Sequence, residues 1–181
     1  MKTLVTYASN YGTTKQYAHW IAEELSCDIR ESKTVDEKTL EQYDVILHGG
    51  GLYAGGLLGL QPILKYFSRL EGKQVIMFSC GLSDPMDPKV VADIEANTKK
   101  IMNPERYAKV KYFHLRGGID YTRLNLLHRG MMAMVCSQIR KKGYENLNAE
   151  DRHMLDTYGK QVDFSDRDSI APIVEYVRGL E

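Results

Sequence analysis

Neither sign of charge is in excess in this sequence: Lys and Arg total 24, and Asp and Glu total 24. Without a basic surplus there is no global field to recruit nucleic acid, and without an acidic one no shell to dock a basic partner. Cysteine is scarce as well. Cys27, Cys80 and Cys136 are odd in number, far apart and never in CxxC spacing. That argues against a disulfide framework and a tetrahedral zinc site, and for a reducing, cytoplasmic compartment. Long apolar runs are also missing. The first short one meets Ser9-Asn10-Tyr11-Gly12 too soon for a signal-peptide core, and no run of 18 apolar residues follows. The reading expects neither secretion nor membrane spanning, and leaves open peripheral contact on the inner face of a membrane.

What is present fits a folded domain. The chain has 181 residues, 43% hydrophobic and 27% charged, and a chain of this length buries roughly 70% of its unfolded surface. One domain, 1–181, is expected. Short β-branched runs alternate with stretches of helical period. Strands are expected at Leu4–Tyr7, near Asp28–Arg30, and at Val45–His48, Val75–Ser79 and Val110–Leu115. Helices are expected at Thr14–Leu25, near Leu60–Leu70, at Pro88–Met102 and near Ser169–Arg178, the last capped by Asp166 or Asp168. This alternation implies a doubly wound α/β fold with a five-stranded parallel sheet covered on both faces. One segment, about 116–166, breaks the alternation. It reads as a helical insertion before the last helix, with one long helix at Tyr121–Lys142 and a second starting around Asn148-Ala149-Glu150-Asp151.

Parallel sheets of this kind bind ligands at the carboxyl ends of their strands. After the first strand, Ser9-Asn10-Tyr11-Gly12-Thr13-Thr14 runs straight into a helix. Hydroxyls, an amide and one glycine at a helix start suit a phosphomonoester, although an ordinary N-cap fits as well. No GK[ST] and no GxGxxG is present, so a nucleoside triphosphate or dinucleotide is not indicated. After the third strand, which ends at His48, Gly49 to Gly56 holds five glycines in eight positions around Leu52, Tyr53 and Ala54. That composition lets a backbone approach a flat ligand and reach positive φ, with Tyr53 placed to stack on a ring. After the fourth strand comes Ser79-Cys80-Gly81. Cys80 has no local base to make it a nucleophile and reads as a small buried thiol.

Together these loops resemble the flavodoxin-like FMN-binding family, whose sheet order is 2-1-3-4-5. Ser9, Gly12 and Thr14 match its phosphate loop, and Tyr11 stands where that loop usually has Thr. The segment Gly49–Gly55 is similar to its second loop, and Phe78-Ser79-Cys80-Gly81 to its third. The resemblance implies FMN as cofactor. The phosphate would lie on Ser9, Asn10, Tyr11, Gly12, Thr13 and Thr14, and Tyr53 would stack on the ring. Backbone groups of Gly50, Gly51, Leu52, Ala54, Gly55, Ser79, Cys80 and Gly81 would meet the ring edges. Within the family, Phe113–Tyr121, the Leu/Met-rich helix after it and Val162–Asp166 resemble the menaquinone-dependent protoporphyrinogen oxidase branch. That implies a hydrophobic substrate, a quinone acceptor and a place in haem biosynthesis.

Two charge patterns bear on the reaction. From Val45 to Leu70 there is no Asp or Glu, which lowers the repulsion felt by a reduced anionic flavin and favours two-electron cycling. Between Tyr121 and Tyr144 there are Arg123, Arg129, Arg140, Lys141 and Lys142, no acid, and a stripe of Leu124, Leu127, Met131, Met134 and Val135. The stripe packs on the core, or meets substrate, quinone or anionic lipid. A phospho-receiver domain would need acids where Ser9 and Gly49 stand. A low-molecular-weight phosphatase would need a Cys opening the first loop and an Arg closing it. Three readings survive: an FMN-dependent oxidoreductase, a flavodoxin electron carrier and a regulatory FMN-binding domain. No catalytic base identifies itself among His48, His114, Tyr121 and His128, and no metal is expected.

Overall fold

The computed structural model describes residues 1–53, 56–124, 126–147 and 149–180. Ala54, Gly55 and Asn148, named above as site or helix-start residues, lie outside them. The chain divides into two compact units, one of residues 1–117 and 165–181 and the other Gly118–Phe164.

The larger unit is built on β1 (Thr3–Ala8), α1 (Thr13–Leu25), β2 (Asp28–Glu31), α2 (Glu37–Glu41), β3 (Val45–Tyr53), β4 (Gly56–Leu57), α3 (Gln61–Lys65), β5 (Gln74–Gly81), α4 (Pro88–Met102), α5 (Pro104–Tyr107) and β6 (Val110–Arg116). Five strands pair in the order β2-β1-β3-β5-β6. All of these pairs are parallel, and β4 folds back antiparallel on the end of β3. Leaving out the two-residue β4, this is the 2-1-3-4-5 order expected. Both faces of the central strands are buried because their residues are apolar in succession. Val5, Leu47, Ile76 and Phe78 pack toward Tyr17, Ile21 and Ile173. Leu4, Ile46 and Met77 pack toward Leu40, Ile63 and Met102.

The expected Leu60–Leu70 helix is broken. It ends at Lys65, and a 3-10 turn over Phe67–Leu70 follows. Ile63 and Leu70 must both reach the core, and the tighter turn brings Leu70 back beneath the sheet. The stretch between β2 and β3, where no element was expected, contains α2, because the Asp36 carboxylate accepts from both the Thr39 N–H (2.9 Å) and the Thr39 hydroxyl (2.6 Å). Neither Asp166 nor Asp168 caps the last helix, which starts at Ala171 without a side-chain cap; Asp166 caps the 3-10 turn before it, accepting from the Asp168 N–H at 3.0 Å. The 3-10 turn Arg167–Ile170 then leads into the final helix.

The largest correction concerns the glycines. Gly49, Gly50 and Gly51 are strand residues, paired with β1 on one side and with Phe78, Ser79 and Cys80 on the other. None of the three has positive φ. A Cβ on Gly49 would lie 2.1 Å from Cζ of buried Phe78, and one on Gly50 2.5 Å from Cγ of Leu57. Glycine stands there so that neighbours can pack against the backbone, not to loosen a loop. Leu52 and Tyr53 continue β3, and Ser79-Cys80-Gly81 is the end of β5.

The smaller unit begins with β7 (Gly118–Asp120) and holds α6 (Leu126–Lys141), α7 (Ala149–Thr157) and β8 (Gln161–Asp163). The antiparallel β7–β8 pair, which the sequence reading did not include, sets Gly118 opposite Asp163. Tyr121 opens a 3-10 turn rather than the long helix, since the Asp120 side chain accepts from the Thr122 N–H at 2.9 Å. Lys142 and Asp151 pair at 2.9 Å to join the α6 end to α7, and Tyr121 meets Tyr158 edge-on at 5.3 Å. The final helix, α8 (Ala171–Arg178), belongs to the larger unit. There the Tyr17 hydroxyl donates to the Arg116 carbonyl (2.7 Å) and accepts from the Asp166 N–H (3.0 Å). One side chain thus pins the chain on both sides of the smaller unit.

Candidate cofactor site

The β1–α1 loop turns at Gly12, whose φ of 99° is left-handed and needs glycine. The Gly12 N–H donates to Ser9 Oγ at 3.0 Å, and the first helical bond runs from Gln16 N–H to Gly12 O at 2.9 Å. The N–H groups of Thr13, Thr14 and Lys15 therefore lie ahead of the helical ladder. No side chain caps α1, and its first turn holds no acid. Thr14 is 2% exposed, and its hydroxyl has no hydrogen-bond partner among the described residues. It sits 3.4 Å from where a Cβ on Gly51 would be. Uncapped N–H groups, a positive helix end and the Thr14 hydroxyl beside a residue with no side chain form a cradle for a phosphate.

The other expected residues surround this cradle in different ways. The Cys80 thiol is buried and donates to the Thr13 hydroxyl at 3.6 Å. A Cβ on Gly117 would come within 2.4 Å of that sulfur, so Cys80 packs between the phosphate loop and the end of β6. The Tyr11 phenol is pushed above its usual range by burial and by the charge of Tyr53. Leu52 covers Gly81, where a Cβ would lie 2.8 Å from its Cδ1. The Ser79 hydroxyl bonds His114 Nδ1 at 2.8 Å.

The candidate bases resolve differently. Both ring nitrogens of His48 are occupied, Nδ1 by the Thr6 hydroxyl and Nε2 by the Leu58 carbonyl, each at 2.9 Å. A carbonyl only accepts, so Nε2 carries the proton and Nδ1 accepts from Thr6. Burial pushes the His48 pKa down to about 4. It is a neutral structural tie. Burial also lowers the His114 pKa against the opposing pull of Glu95, and its Nε2 is buried without a partner among the described residues. Tyr121 is pushed up to about 12, mainly by burial, which removes it as a base at neutral pH.

A cavity of about 290 Å³ opens on the β2 side of the phosphate loop, between Ser9, Asn10 and Gly12 on one wall and Glu31, Ser32 and Lys33 on the other. The sequence reading missed this second wall. Parallel pairing of Tyr7 with Glu31 brings it there, and no local motif marks it.

The sequence model of the flavodoxin domain matches residues 4–148. The chain belongs to the flavodoxin-domain family. An uncharacterized protein of Methanocaldococcus jannaschii is 33% identical over 82 residues, 44% of this chain and 53% of that protein. The chain thus spans about half the length of that curated relative. Among solved structures, a WrbA-like flavodoxin protein from Agrobacterium tumefaciens aligns over 99% of both chains at 14% identity with a TM-score of 0.47. Oxidised flavodoxin 2 from Bacillus cereus aligns over 64% of this chain and 84% of its own at 22% identity with a TM-score of 0.46.

This flavodoxin-domain protein binds FMN, and its cradle fits the group. Ser9, Thr14 and the free α1 N–H groups would hold the phosphate, and Tyr53 would meet the ring. Replacing Thr14 with Val is expected to weaken FMN by on the order of 1–3 kcal/mol through loss of one donor. Riboflavin, which lacks the phosphate, should be unaffected. Fluorescence titration with both flavins checks this, and equal loss for both would point to damage elsewhere.

Proposed function

We propose that this flavoprotein is an oxidoreductase that takes hydride equivalents from a hydrophobic substrate of the protoporphyrinogen class and passes them to a quinone. The observation that carries the reading is the compact unit Gly118–Phe164. The chain enters it at the carboxyl edge of the sheet, directly after Gly117, whose N–H donates to the Gly81 carbonyl at 2.7 Å. A chain that only shuttled electrons would need no such second unit.

Bound FMN supplies a two-electron acceptor. The residues of the chain bind and orient it. No acid between Val45 and Leu70 repels charge on the reduced ring. His48 is committed and Tyr121 stays protonated, no side chain is assigned as a base, and a readily oxidised substrate is the class that suits this reading.

The α6 helix supports the choice of a lipophilic acceptor. Among the described residues, five of the nine exposed large hydrophobics lie on it: Leu126 (86% exposed), Leu127 (68%), Met131, Met134 (63%) and Val135. Its opposite side buries Cys136 and Ile139. An exposed apolar helix face with Arg129, Arg140 and Lys141 on the same helix, and no acid from 121 to 144, complements an anionic lipid surface, where quinones partition. A convex face of flexible Leu and Met side chains inserts between headgroups more readily than it encloses a small ligand. No described helix is long and apolar enough to cross a membrane, so the contact proposed is peripheral.

The purified flavoprotein is expected to oxidise protoporphyrinogen with a quinone, each cycle yielding one quinol, and to take up two electrons in a single step on reductive titration. Absence of turnover with every quinone tested would overturn the reaction. Two well-separated one-electron steps would favour the electron carrier.

A further inference from the structure

His114 is a titratable group that the flavin cradle does not employ. The β5–β6 register places it directly beside Ser79, and its Nδ1 lies 2.8 Å from the Ser79 hydroxyl. Its Nε2 is the one buried side-chain nitrogen or oxygen without a partner among the described residues. Buried polar atoms are seldom left unanswered, and a redox or catalytic role is one physical reason for an exception.

The Ser79 hydroxyl can meet His114 in two ways. With the ring neutral and its proton on Nε2, Ser79 donates to Nδ1 and has no hydrogen to offer elsewhere. Once Nδ1 is protonated as well, it donates to Ser79 Oγ, and the serine hydrogen can turn to another acceptor. One proton on His114 thus makes Ser79 a donor at the carboxyl end of β5.

Few charges compete for control of this proton. On α4 the charge acting on His114 is Glu95, whose carboxylate lies 3.9 Å from Lys99. On α5 Tyr107 bonds Glu95 and stays protonated, its pKa pushed up to about 12 mainly by burial. On β6 itself, the strand period puts Tyr112 and Arg116 on the His114 face. Tyr112 is also raised by burial. Arg116 is held by Asp84 at 3.7 Å and by the Leu82 carbonyl at 3.2 Å. On β5 the polar neighbour is Ser79. A negative charge developing at that strand end would draw a proton onto His114.

We propose that His114 takes up a proton when the flavin is reduced and transmits it to the ring through the Ser79 hydroxyl, as a positioning residue. Two electrons from the reducing substrate and one proton on the ring leave the flavin with one negative charge. A second proton, from solvent, goes to His114 Nδ1, and Ser79 turns its hydrogen toward that charge. Reoxidation by the acceptor reverses both steps. The proposal rests on Ser79 lying at the ring edge, as the family resemblance implies, and not on the identity of the substrate.

The test uses the FMN-loaded full chain. Midpoint potentials are measured between about pH 5 and 9 for wild type, His114→Gln and Ser79→Ala. The His114 ring is followed by NMR in flavin-free, oxidised and reduced protein. Its titration midpoint should rise by about one pH unit or more on reduction. Between the oxidised and reduced midpoints, the wild-type potential should fall with pH at twice the slope of either variant, two protons per two electrons against one. Glu95→Gln, on the solvent side of His114, should lower both midpoints and move the steep segment to lower pH with them. A wild-type slope in either variant, a single midpoint for both redox states, or a steep segment that ignores the Glu95→Gln shift would overturn the proposal. A His114 titration identical with and without FMN would instead defeat the placement of Ser79 at the ring, and the proposal with it.

Discussion

Excision of Gly118–Phe164 with a short glycine linker is expected to leave a folded protein with the FMN affinity of the whole chain, while porphyrinogen oxidation and sedimentation with anionic vesicles are both lost. The cut is geometrically mild. The ends left behind, Gly117 and Ser165, are close, because the neighbouring Arg116 carbonyl and Asp166 N–H lie 2.7 and 3.0 Å from the same Tyr17 hydroxyl, so a few glycines close the gap. Tyr17 continues to bind both Arg116 and Asp166, and the core around Val5, Leu47, Phe78 and Ile173 belongs wholly to the remaining unit. The vesicle arm has a point-mutant counterpart in the intact chain. Leu127→Asp with Met134→Asp removes apolar surface and adds charge on the exposed side of α6, away from buried Cys136 and Ile139. Vesicle binding should fall by tenfold or more, with FMN binding and melting temperature near wild type. Undiminished vesicle binding by the double variant would defeat the lipid assignment, and loss of FMN on excision would defeat the independence of the flavin unit.

Acid should destabilise the protein steeply between pH 6.5 and 4, with His48 the largest single cause. The folded His48 pKa is about 4 against a reference of 6.5. In that window the unfolded chain therefore binds a proton that the native state refuses. Stability falls as pH drops, by about 3 kcal/mol in all from this residue, and none of the loss appears above pH 7. The physical reason is local. Nε2–H is already given to the Leu58 carbonyl, and a second proton on Nδ1 would point at the Thr6 hydroxyl that now donates to it. His114, also lowered by burial, contributes in the same direction. Urea midpoints measured from pH 7 to 4 test this, with His48→Gln as the comparison. That variant should start less stable and show a distinctly flatter pH slope. An unchanged slope would mean that His48 is not the group that titrates.

Much of this molecule is written locally. The alternation of β-branched and helical segments, each side chain's period set by its own backbone, was enough to predict a doubly wound parallel sheet. Ser9 to Thr14 was legible for the same reason, since a glycine turn, hydroxyls and an uncapped helix start are all neighbours in the chain. Other features depend on residues that meet only after folding. Gly49–Gly51 looked like a loose loop because glycine is permissive in isolation. They are strand because Phe78, nearly 30 residues on, packs against a backbone with no Cβ in the way. Ser32 and Lys33 carry no motif, and they become a wall of the phosphate-loop cavity only through the β1–β2 register. The period of α6 revealed an apolar stripe but not its direction. With apolar residues on more than one side, only tertiary packing decided that Cys136 and Ile139 are buried while Leu127 and Met134 are exposed. Sequence periodicity selects the element and its faces, and burial is allotted among those faces by which partner surfaces the rest of the chain supplies.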